Sequence, residues 1–528
     1  MSLVTDPFLR LLSAFYAQWH ILAAAIVLLA TLNLAHSILR AINSPFPGPK
    51  LAKLTKWWRR YHELRDNLVQ LTHSAHQKYG PIAQISPDEI SFCHPDALRD
   101  IYTGPHGGLD VIEDVWLFEQ YGSENLVSTV DAELHLTRRK NTAGLYTSPV
   151  VASAGSQALM KRCIDMFAAE IEKEAEFSRT VDIFPLVRWL TSDVMIGLIY
   201  GAEGSLQLLR NKESRALMGE LLVSNTQQLA DPFLTIMQWF PAAITKRISL
   251  LFDPGSKMAA FGMSRVQEAL KSTTSNNNEG RTTHLQHLLH LYRKKGPNAA
   301  IPNTTYIASD CLDHFFAGSS TTADFLSALF WNLSLPENKR YQDRLQDELR
   351  TAGIIPGTEV DLSTVQQLPY LNCVLRETLR TDPPIPFGLP RVVKEKNRDV
   401  TVMGIRIKPG TTISTQPYSI HRDPNTFHNP DVWDPDRWDI PITSPAYRQM
   451  LRMFMPFGYG ARMCPGINVA WAEIRLVTAR IYSMYETSLG EVFFDKEGGR
   501  LLEEEKRKDL FPASSVQPIV FRRIKGSG

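Results

Sequence analysis

A long uncharged segment near the N-terminus is the feature that most constrains how this chain can be organised. No Asp, Glu, Lys or Arg occurs in Leu11–Leu39, and its centre, Ile21–Ala35, is almost entirely apolar. A helix of this length spans the hydrocarbon layer of a bilayer, which is roughly 30 Å thick. We therefore predict a membrane-anchoring helix at about residues 15–39, within an N-terminal anchor of residues 1–43.

A cleaved signal peptide is the competing interpretation, because Ala35 and Ser37 satisfy the small-residue rule for cleavage. The uncharged run exceeds the roughly 7–15 apolar residues of a signal peptide, which favours the anchor. Basic residues predict its orientation, since cytosolic flanks carry the excess of Lys and Arg. Only Arg10 precedes the run, so the body is expected in the cytosol, on the side of Arg40, Lys50, Lys53, Lys56, Arg59 and Arg60.

Residues 44–50 separate the predicted anchor from the body of the protein. Prolines at positions 45, 47 and 49 fix φ and remove backbone donors, so a helix cannot continue through this segment. The segment is predicted to be a stiff, extended hinge. Residues 51–528 are then predicted to form a single domain.

Composition excludes several classes of protein. Lys and Arg number 57 and Asp and Glu 55, so the net charge of +2 provides no field that would attract nucleic acid. An apolar content of 44% supplies material for a large core. The five scattered cysteines do not suggest a disulfide framework, and a small buried apolar residue is the default expectation for each of them.

Hydrophobic periodicity predicts a mainly helical domain with a small β portion. Tyr79–Cys93 suggests two short strands around a turn, and Val400–Ile407 suggests another strand region. Helical patterns dominate residues 130–350, interrupted by a polar run, Ser272–Gly280, that is expected to be a mobile surface loop. The longest predicted helix is capped at Asn303 or Thr304 and runs to Leu335, where Pro336 stops it.

The middle of this long helix contains the unusual stretch Ala317–Thr322, with the sequence Ala-Gly-Ser-Ser-Thr-Thr. A glycine inside a helix costs about 1 kcal/mol relative to alanine, and adjacent Ser and Thr side chains compete for backbone groups. The stretch therefore indicates a locally weakened helix with a function. Close packing against another helix is the alternative explanation.

The segment Phe457–Gly466, Phe-Gly-Tyr-Gly-Ala-Arg-Met-Cys-Pro-Gly, precedes an apolar helical pattern. A thiolate that binds haem iron must be held rigidly among backbone donors and shielded from water. Two glycines before Cys464 allow a tight loop over a flat ligand, and Gly466 allows close approach of the next helix. Arg462 supplies a fixed positive charge, and Phe457 can cover the sulfur.

This segment resembles the haem-binding loop of the cytochrome P-450 family, Phe-x-x-Gly-x-Arg-x-Cys-x-Gly, at every fixed position. The resemblance extends over about residues 45–525 and implies the cytochrome P-450 fold behind one transmembrane helix. It makes Cys464 the axial ligand of the iron of haem b, with Phe457, Arg462 and Gly466 around the cofactor.

The same resemblance assigns roles to residues elsewhere in the chain. Glu377 and Arg380, three residues apart on one helix, and Arg437 resemble the family's buried charge triad. His135 and Arg139 share a helical face and resemble the family's contacts to the haem propionates, although a solvated basic face is the alternative. Arg391 resembles a further propionate contact.

In the family, the first threonine of the Ala-Gly-x-Asp/Glu-Thr-Thr stretch guides protons to dioxygen at the haem. Thr321 occupies that position, but Ser320 stands where the family has its acid. A water chain through Ser320 and Thr321 is the expected substitute. Asp313 or Asp324 could supply it only if the geometry of the helix permits.

The resemblance also implies an activity: transfer of one oxygen atom from dioxygen to an apolar substrate, with electrons from NADPH. No Gly-x-Gly-x-x-Gly follows a strand, so an NADPH–cytochrome P-450 reductase must be a separate protein, with cytochrome b5 as an optional second donor. The reductase is expected near Arg138 and Lys140, and the anchor in the endoplasmic reticulum membrane. The rival functions are a haem-thiolate isomerase or dehydratase, and a non-catalytic haem protein that binds a small molecule.

Similarity to filamentous-fungal members favours a secondary metabolite as substrate, with a terpenoid preferred over a polyketide or alkaloid. Apolar segments are expected to line the pocket and to exclude ionic substrates, since a buried charge would lack compensation. These segments are Val111–Phe118, Phe233–Phe240, Phe315–Phe316 and Ile385–Leu389.

Overall fold

Helices dominate the computed structural model, which describes residues 5–103, 109–176, 180–201, 206–217, 236, 257–271, 282–395, 400–490 and 518–524. The predicted loop Ser272–Gly280 and all but one residue of the predicted pocket segment Phe233–Phe240 lie outside this part. The mainly helical prediction is confirmed. The helices are α1 (Thr5–Ile42), α2 (Lys50–Leu54), α3 (Lys56–Leu64), α4 (Leu68–Tyr79), α5 (Pro95–Tyr102), α6 (Ala132–Thr142), α7 (Ser148–Val151), α8 (Ala154–Ala175), α9 (Ile183–Tyr200), α10 (Lys212–Leu217), α11 (Lys257–Lys271), α12 (His284–Lys295), α13 (Thr304–Ser334), α14 (Lys339–Thr351), α15 (Leu362–Val365), α16 (Pro369–Thr381), α17 (Pro417–Ile420), α18 (Pro445–Arg452) and α19 (Ile467–Tyr482).

The strands form three small sheets. One has the order β1-β2-β7-β4, in which β1 and β2 are antiparallel and β2 and β7 are parallel. A second has the order β3-β9-β8, and β5 pairs with β6. The two strands predicted in Tyr79–Cys93 are thus confirmed as a hairpin at the edge of the first sheet. The strands are β1 (Ile82–Ser86), β2 (Glu89–Phe92), β3 (Thr180–Asp182), β4 (Arg391–Val392), β5 (Thr401–Val402), β6 (Ile405–Arg406), β7 (Thr412–Ser414), β8 (Tyr485–Leu489) and β9 (Pro518–Arg523).

Helix α1 is longer than the predicted anchor helix and stands apart from the core. Its segment Trp19–Ile42, of 24 residues, contains an 18-residue window with a mean hydropathy of 2.1, and 0% of that window is buried. Helix α9 is also apolar and long enough to cross a membrane, but 83% of it is buried, so it belongs to the helical core instead. The exposed apolar surface of α1 suits a membrane anchor.

The proline-rich segment after α1 is docked on the first sheet. The carbonyl of Pro47 accepts a hydrogen bond from the Gln84 amide at 2.7 Å. A Cβ on Gly48 would lie only 2.3 Å from the Gln84 carbonyl oxygen, so only glycine permits this approach. Two of the flanking basic residues, Lys56 and Arg59, pair with acids of the body. The connection to the anchor is therefore held by contacts as well as by proline.

Helix α13 runs through the core and begins as the sequence predicts. The Asn303 side chain accepts a hydrogen bond from the Tyr306 amide at the N-terminus. The helix has 31 residues and is about 46 Å long at 1.5 Å per residue. It packs against α9, where a Cβ on Gly318 would lie 2.5 Å from Met195. Close packing therefore does explain the glycine in the middle of this helix.

A buried ionic cluster joins α16 to the segment that precedes the cysteine loop. Arg380 Nη2 lies 2.7 Å and Arg437 Nε 3.0 Å from Glu377 Oε1. The Trp438 indole and the Asp434 amide donate to the same carboxylate, each at 2.9 Å. Burial would raise the pKa of Glu377, but Arg380 and Arg437 outweigh it and lower that pKa below its ordinary value. The structure thus brings together the three residues of the predicted triad.

Replacing Glu377 by Gln should destabilise the protein by about 3–5 kcal/mol, because two buried guanidinium groups lose their anion. The matched control is Glu359→Gln, which removes a surface pair with Lys161 and should change the free energy of unfolding by less than about 0.5 kcal/mol. Urea unfolding measures both. The stabilisation should be complete above the ordinary glutamate pKa of 4.5 and decline as pH falls through the lowered pKa of Glu377. Equal effects of the two substitutions would contradict the analysis.

Candidate active site

The loop around Cys464 is closed by its own backbone. The Cys464 amide donates to the Phe457 carbonyl at 2.8 Å. Gly458 and Gly460 adopt φ values of +72° and +71°, which side chains of L-residues rarely tolerate. A Cβ on Gly460 would also lie 1.9 Å from the Tyr102 carbonyl oxygen. Both the positive φ and this close approach therefore require glycine at position 460. The two glycines act as the sequence predicts.

Cys464 lies deep inside the protein, although the residue is partly exposed. Burial raises its pKa, while the Gly466 amide and the Arg139 guanidinium oppose that rise. Cys93 is partly exposed as well, whereas Cys163, Cys311 and Cys373 are buried. The surroundings distinguish the two, because Asp423 adds to burial in raising the pKa of Cys93. A group that is deep but accessible lies on the wall of a cavity. The neighbouring Phe457 packs its ring against Trp471 of α19, with 6.0 Å between ring centroids.

Positively charged groups converge beside this loop with little compensation. Burial, followed by Arg462, Arg139 and Arg391, lowers the pKa of His135 to about 3. Burial and Arg391 lower the pKa of Arg462 to about 10, although Asp110 and Asp131 partly oppose the shift. Asp110 is itself paired with Lys394 at 2.7 Å. These cations repel one another, so the site favours a multiply charged anion.

The arginines of this cluster are held in place by backbone carbonyls and an aromatic ring. Arg462 donates to the carbonyls of Thr129 and Val130 at 2.8 and 2.9 Å. Arg391 donates to the Pro390 carbonyl and lies over the Tyr102 ring, 5.0 Å from its centroid. Carbonyls orient a guanidinium without neutralising it. Each arginine therefore keeps its charge for another group.

One prediction about this region is wrong. Arg138 was expected on a basic docking surface together with Lys140, but its side chain is buried. It pairs with Glu124 at 2.7 Å and lies over the Tyr306 ring. The reason is geometric, since successive residues of a helix point about 100° apart, so Arg138 faces the core while Lys140 faces solvent.

Helix α13 is buried over most of its length, but a short stretch in its middle is at least partly exposed. This stretch, residues 316–318 with Thr321, is called the window of α13. Ala317 is exposed and Phe316, Gly318 and Thr321 are partly exposed, although most of the flanking helix is buried. The Thr321 hydroxyl donates to the Ala317 carbonyl at 2.7 Å, and the Ser320 hydroxyl donates to the Phe316 carbonyl. Exposure in the middle of a core helix again indicates a cavity. Thr321 faces it, while Ser320 is buried beside it.

The two aspartates suggested as proton sources are differently placed. Asp324 forms a buried pair with Arg188 of α9, 2.5 Å apart, which binds it to the opposite helix. Burial raises the pKa of Asp313 well above its ordinary value. Asp324 is thus engaged elsewhere, and the geometry does not favour it as a source for Thr321.

The cytochrome P450 family model matches residues 46–503 of the chain. The chain belongs to the cytochrome P-450 family. Its curated relatives include the fungal cytochrome P-450 monooxygenase BOT1 of Botryotinia fuckeliana, 27% identical with 94% of each chain covered. Another is tazI of Aspergillus terreus, 29% identical over 89% of this chain and 92% of the relative. A third is astB of Talaromyces wortmannii, 26% identical over 96% of each chain.

The site of this cytochrome P-450 monooxygenase fits the haem that the family implies. Haem carries two propionate carboxylates, and Asp110 and Asp131 compensate the arginines beside the loop only in part. A partly exposed cysteine on a cavity wall fits an iron ligand, and the Gly466 amide favours its thiolate form. The fit to haem therefore rests on the charge of the arginines and the partial exposure of Cys464, as well as on the loop motif.

Several residues that build this site were not predicted from the sequence. His421 donates from Nδ1 to the Arg380 carbonyl at 3.2 Å and accepts at Nε2 from the Met455 amide at 2.9 Å. It thereby connects the ionic cluster of Glu377 to the start of the cysteine loop. Tyr102 donates to the Leu389 carbonyl at 2.7 Å and contacts the loop glycine. No local pattern marks either residue, because their partners are distant in sequence.

A pair of glycine substitutions should separate backbone strain from steric exclusion. Gly458→Ala adds a Cβ with no contact closer than 3.6 Å, so it should cost only the about 1–2 kcal/mol of a left-handed alanine. Gly460→Ala suffers the same strain and a clash with the backbone of Tyr102. It should therefore lose haem incorporation that Gly458→Ala retains. Haem absorbance per purified chain measures this, and equal haem content in the two variants would contradict it.

Proposed function

We propose that the Cys464 thiolate binds the iron of haem b and that the enzyme inserts one atom of dioxygen into an apolar secondary metabolite. The other oxygen atom leaves as water, and two electrons come from NADPH through a separate reductase, with cytochrome b5 as an optional donor. The observation that supports this most is that a partly exposed cysteine adjoins a cluster of arginines that Asp110 and Asp131 compensate only in part, with Arg139 acting on both Cys464 and His135.

The residues of the site have different roles in this proposal. Bound haem supplies the activation of dioxygen and the oxidation of the substrate. Arg462, Arg391 and Arg139 would bind the propionates, with neutral His135 as a further donor. The Gly466 amide stabilises the thiolate. Thr321 would hold a proton donor at the window of α13, with Ser320 behind it.

The proposed substrate is apolar, with a terpenoid preferred to a polyketide or alkaloid. Partly exposed apolar side chains occur in the segments expected to line the pocket, and Glu113 and Asp114 are the only charged side chains in the described parts of these segments. Glu113 is exposed, and Asp114 lies close enough to Arg59 for that guanidinium to lower its pKa, so a protonated amine would lose hydration without gaining an unpaired buried carboxylate in these parts. The argument favours a hydrocarbon-rich scaffold. The partly exposed apolar residues are Leu117, Phe118, Phe316, Ile385, Phe387 and Leu389.

The proposed location is the endoplasmic reticulum membrane, crossed once by α1, with the catalytic domain in the cytosol. The exposed apolar surface of α1 and the basic residues that follow it support this arrangement. The division into an anchor of residues 1–43, a connection of residues 44–50 and a catalytic domain of residues 51–528 belongs to the same proposal.

Cys464→Ser should abolish the red-shifted Soret band of the reduced carbon monoxide complex, because that band reports a thiolate ligand. Cys373→Ser is the matched control, since Cys373 is buried away from the loop and should leave the band unchanged. Absorbance difference spectra measure both. Retention of the band in Cys464→Ser, or its loss in Cys373→Ser, would show that the ligand is another residue.

Thr321→Ala should keep haem and substrate binding but divert NADPH-derived electrons into hydrogen peroxide. General acid–base groups contribute about 10²–10⁴-fold, so the ratio of peroxide to product should rise by roughly tenfold or more even if water partly substitutes. Thr321→Ser retains a hydroxyl and should preserve most of the coupling. Unchanged coupling in the alanine variant would show that Thr321 does not have this role. Turnover without dioxygen and reductase would favour the isomerase or dehydratase, and absence of turnover in a protein that binds haem would favour the silent haem protein.

A further inference from the structure

Two histidines and an aspartate converge in the core of the protein, and none of them has a role in the site described above. Asp310 and His314 lie four residues apart on α13, so they share one face of that helix. His284 is the first residue of α12. All three side chains are at most 7% exposed, and a nitrogen or oxygen atom of each lies within 4.8 Å of those of the other two. These three residues are called the His-Asp cluster.

The Asp310 carboxylate has one oxygen held by the surrounding protein and one that faces the histidines. Its Oδ1 accepts from the Leu126 amide at 2.9 Å and from the Tyr306 hydroxyl at 3.2 Å. Its Oδ2 lies 3.0 Å from His284 Nε2 and 3.6 Å from His314 Nδ1. The two donors thus fix the orientation of the carboxylate and leave Oδ2 to bind a cation beside the histidines.

Each histidine also has one ring nitrogen with a partner in the surrounding protein. His284 Nδ1 lies 3.1 Å from the Tyr146 hydroxyl, and His314 Nδ1 donates to the Asp310 backbone carbonyl at 2.8 Å. A histidine that binds a metal usually makes such a bond through its other nitrogen, because the bond fixes the ring and the position of the proton. Nε2 of each ring is therefore the nitrogen that can bind a metal.

The second nitrogen of His314 has no partner. Nδ1 must carry the proton of the ring, since a backbone carbonyl only accepts, so Nε2 is a lone-pair acceptor in the neutral ring. This Nε2 is buried and makes no hydrogen bond within the described part of the chain. Buried polar atoms without a partner are rare in native proteins, and an ion or a water molecule that binds there is a common explanation.

The charges around the His-Asp cluster favour a cation. Asp313, three residues after Asp310, is another buried acid. Within the described residues, neither of these two acids forms an ion pair with Lys or Arg. Arg138 lies over the Tyr306 ring, 4.7 Å from its centroid, but its guanidinium pairs with Glu124. Because buried charges are normally paired or bound to metals, a divalent cation would suit this region.

A path from solvent leads to one side of the cluster. Tyr146 and His284 line a narrow crevice, large enough for about one water molecule, whose wall includes the exposed residue Thr282. The rest of the crevice lining is mostly apolar. The crevice therefore offers an ion, together with one water ligand, a route to His284.

We propose that His284 Nε2, Asp310 Oδ2 and His314 Nε2 bind a zinc ion, with one water molecule as the fourth ligand. Ligand atoms of tetrahedral zinc lie roughly 2.0–2.2 Å from the metal and hence about 3.3 Å apart. The 3.0 Å between His284 Nε2 and Asp310 Oδ2 is already close to this separation, and the His314 ring moves inward to complete the shell. The ion replaces the proton that His284 and Asp310 share, and that proton leaves to solvent.

The size of the crevice favours zinc over another metal. Two histidines and a carboxylate also bind non-haem iron, but that ion keeps several open positions for further ligands. Room for about one water molecule suits a four-coordinate ion instead.

A zinc ion here would have a structural role. Asp310 Oδ1 holds the Leu126 amide, and the carbonyls of Thr129 and Val130, a few residues further along, accept from Arg462. The ion would therefore fasten α12 and α13 to the segment that orients an arginine of the haem site. This inference is independent of the proposed monooxygenase function.

The test measures zinc in the holoenzyme. Protein incubated with zinc chloride and then desalted should retain one zinc ion per chain in addition to the haem iron, by elemental mass spectrometry. His314→Phe keeps a ring that can stack on Tyr146 but has no nitrogen, and Asp310→Asn keeps the shape of the side chain without its charge. Each should lower the zinc content at least about tenfold, while haem absorbance shows that the variant is folded.

The matched control is His290→Phe, an exposed position on α12 that should retain the full zinc content. Wild-type protein that retains less than about a tenth of an equivalent of zinc, or equal zinc contents in the wild type and His314→Phe, would overturn the site. The buried nitrogen of His314 would then bind water instead.

Two further measurements identify the ligands. X-ray absorption at the zinc edge, which haem iron does not obscure, should show nitrogen and oxygen neighbours at roughly 2.0–2.2 Å and scattering from two imidazole rings. A sulfur neighbour at about 2.3 Å would place the ion on a cysteine and overturn the site. Tyr146→Phe removes the hydroxyl beside His284 and should weaken zinc binding by about 10–100-fold in competition with a chelator. An unchanged affinity would overturn this set of ligands, and neither measurement requires turnover.

Discussion

The buried carboxylate of Glu377 is the interaction on which the rest of the structure depends. It receives two guanidinium groups, an indole and a backbone amide, so its charge is compensated where no water reaches it. Arg380 in turn donates to the carbonyls of His421, Pro430 and Val432. Because His421 then accepts from the Met455 amide, one hydrogen-bonded path joins α16 to the cysteine loop. Burial, followed by Arg380, lowers the pKa of His421 to about 3, so this link stays uncharged.

In the active site, by contrast, the positive charges are only partly compensated. Around Glu377 every charge has its partner, whereas the arginines beside Cys464 are oriented mainly by carbonyls and repel one another. A protein stabilises such an arrangement only if the surrounding structure enforces it, and a bound anion then relieves the repulsion. The ionic cluster supplies that rigidity through the loop, so structural and binding electrostatics are coupled although they lie in different parts of the chain.

Local patterns predicted much of the fold. The Asn303 cap, the proline stop after α13 and the hairpin within Tyr79–Cys93 depend on neighbouring residues, and all three are confirmed. The helix spacing also placed His135 and Arg139 on one face. The spacing does not show which face of the helix is buried. The sequence therefore predicts Arg138 at the surface, although its side chain is buried. Burial depends on what packs against a helix, and that information lies elsewhere in the chain.

The sequence by itself determined the family, through the spacing of Phe457, Gly460, Arg462, Cys464 and Gly466, and it determined the apolar helix at the N-terminus. Those features are local, because backbone conformation and apolar length follow from adjacent residues. Only the tertiary structure decided that Tyr102 closes the cysteine loop, that His421 connects it to Glu377, and that Asp324 binds Arg188. It also brought Tyr146, His284 and Asp310 into one hydrogen-bonded chain. Such contacts join residues more than twenty positions apart, and packing of the whole core selects them.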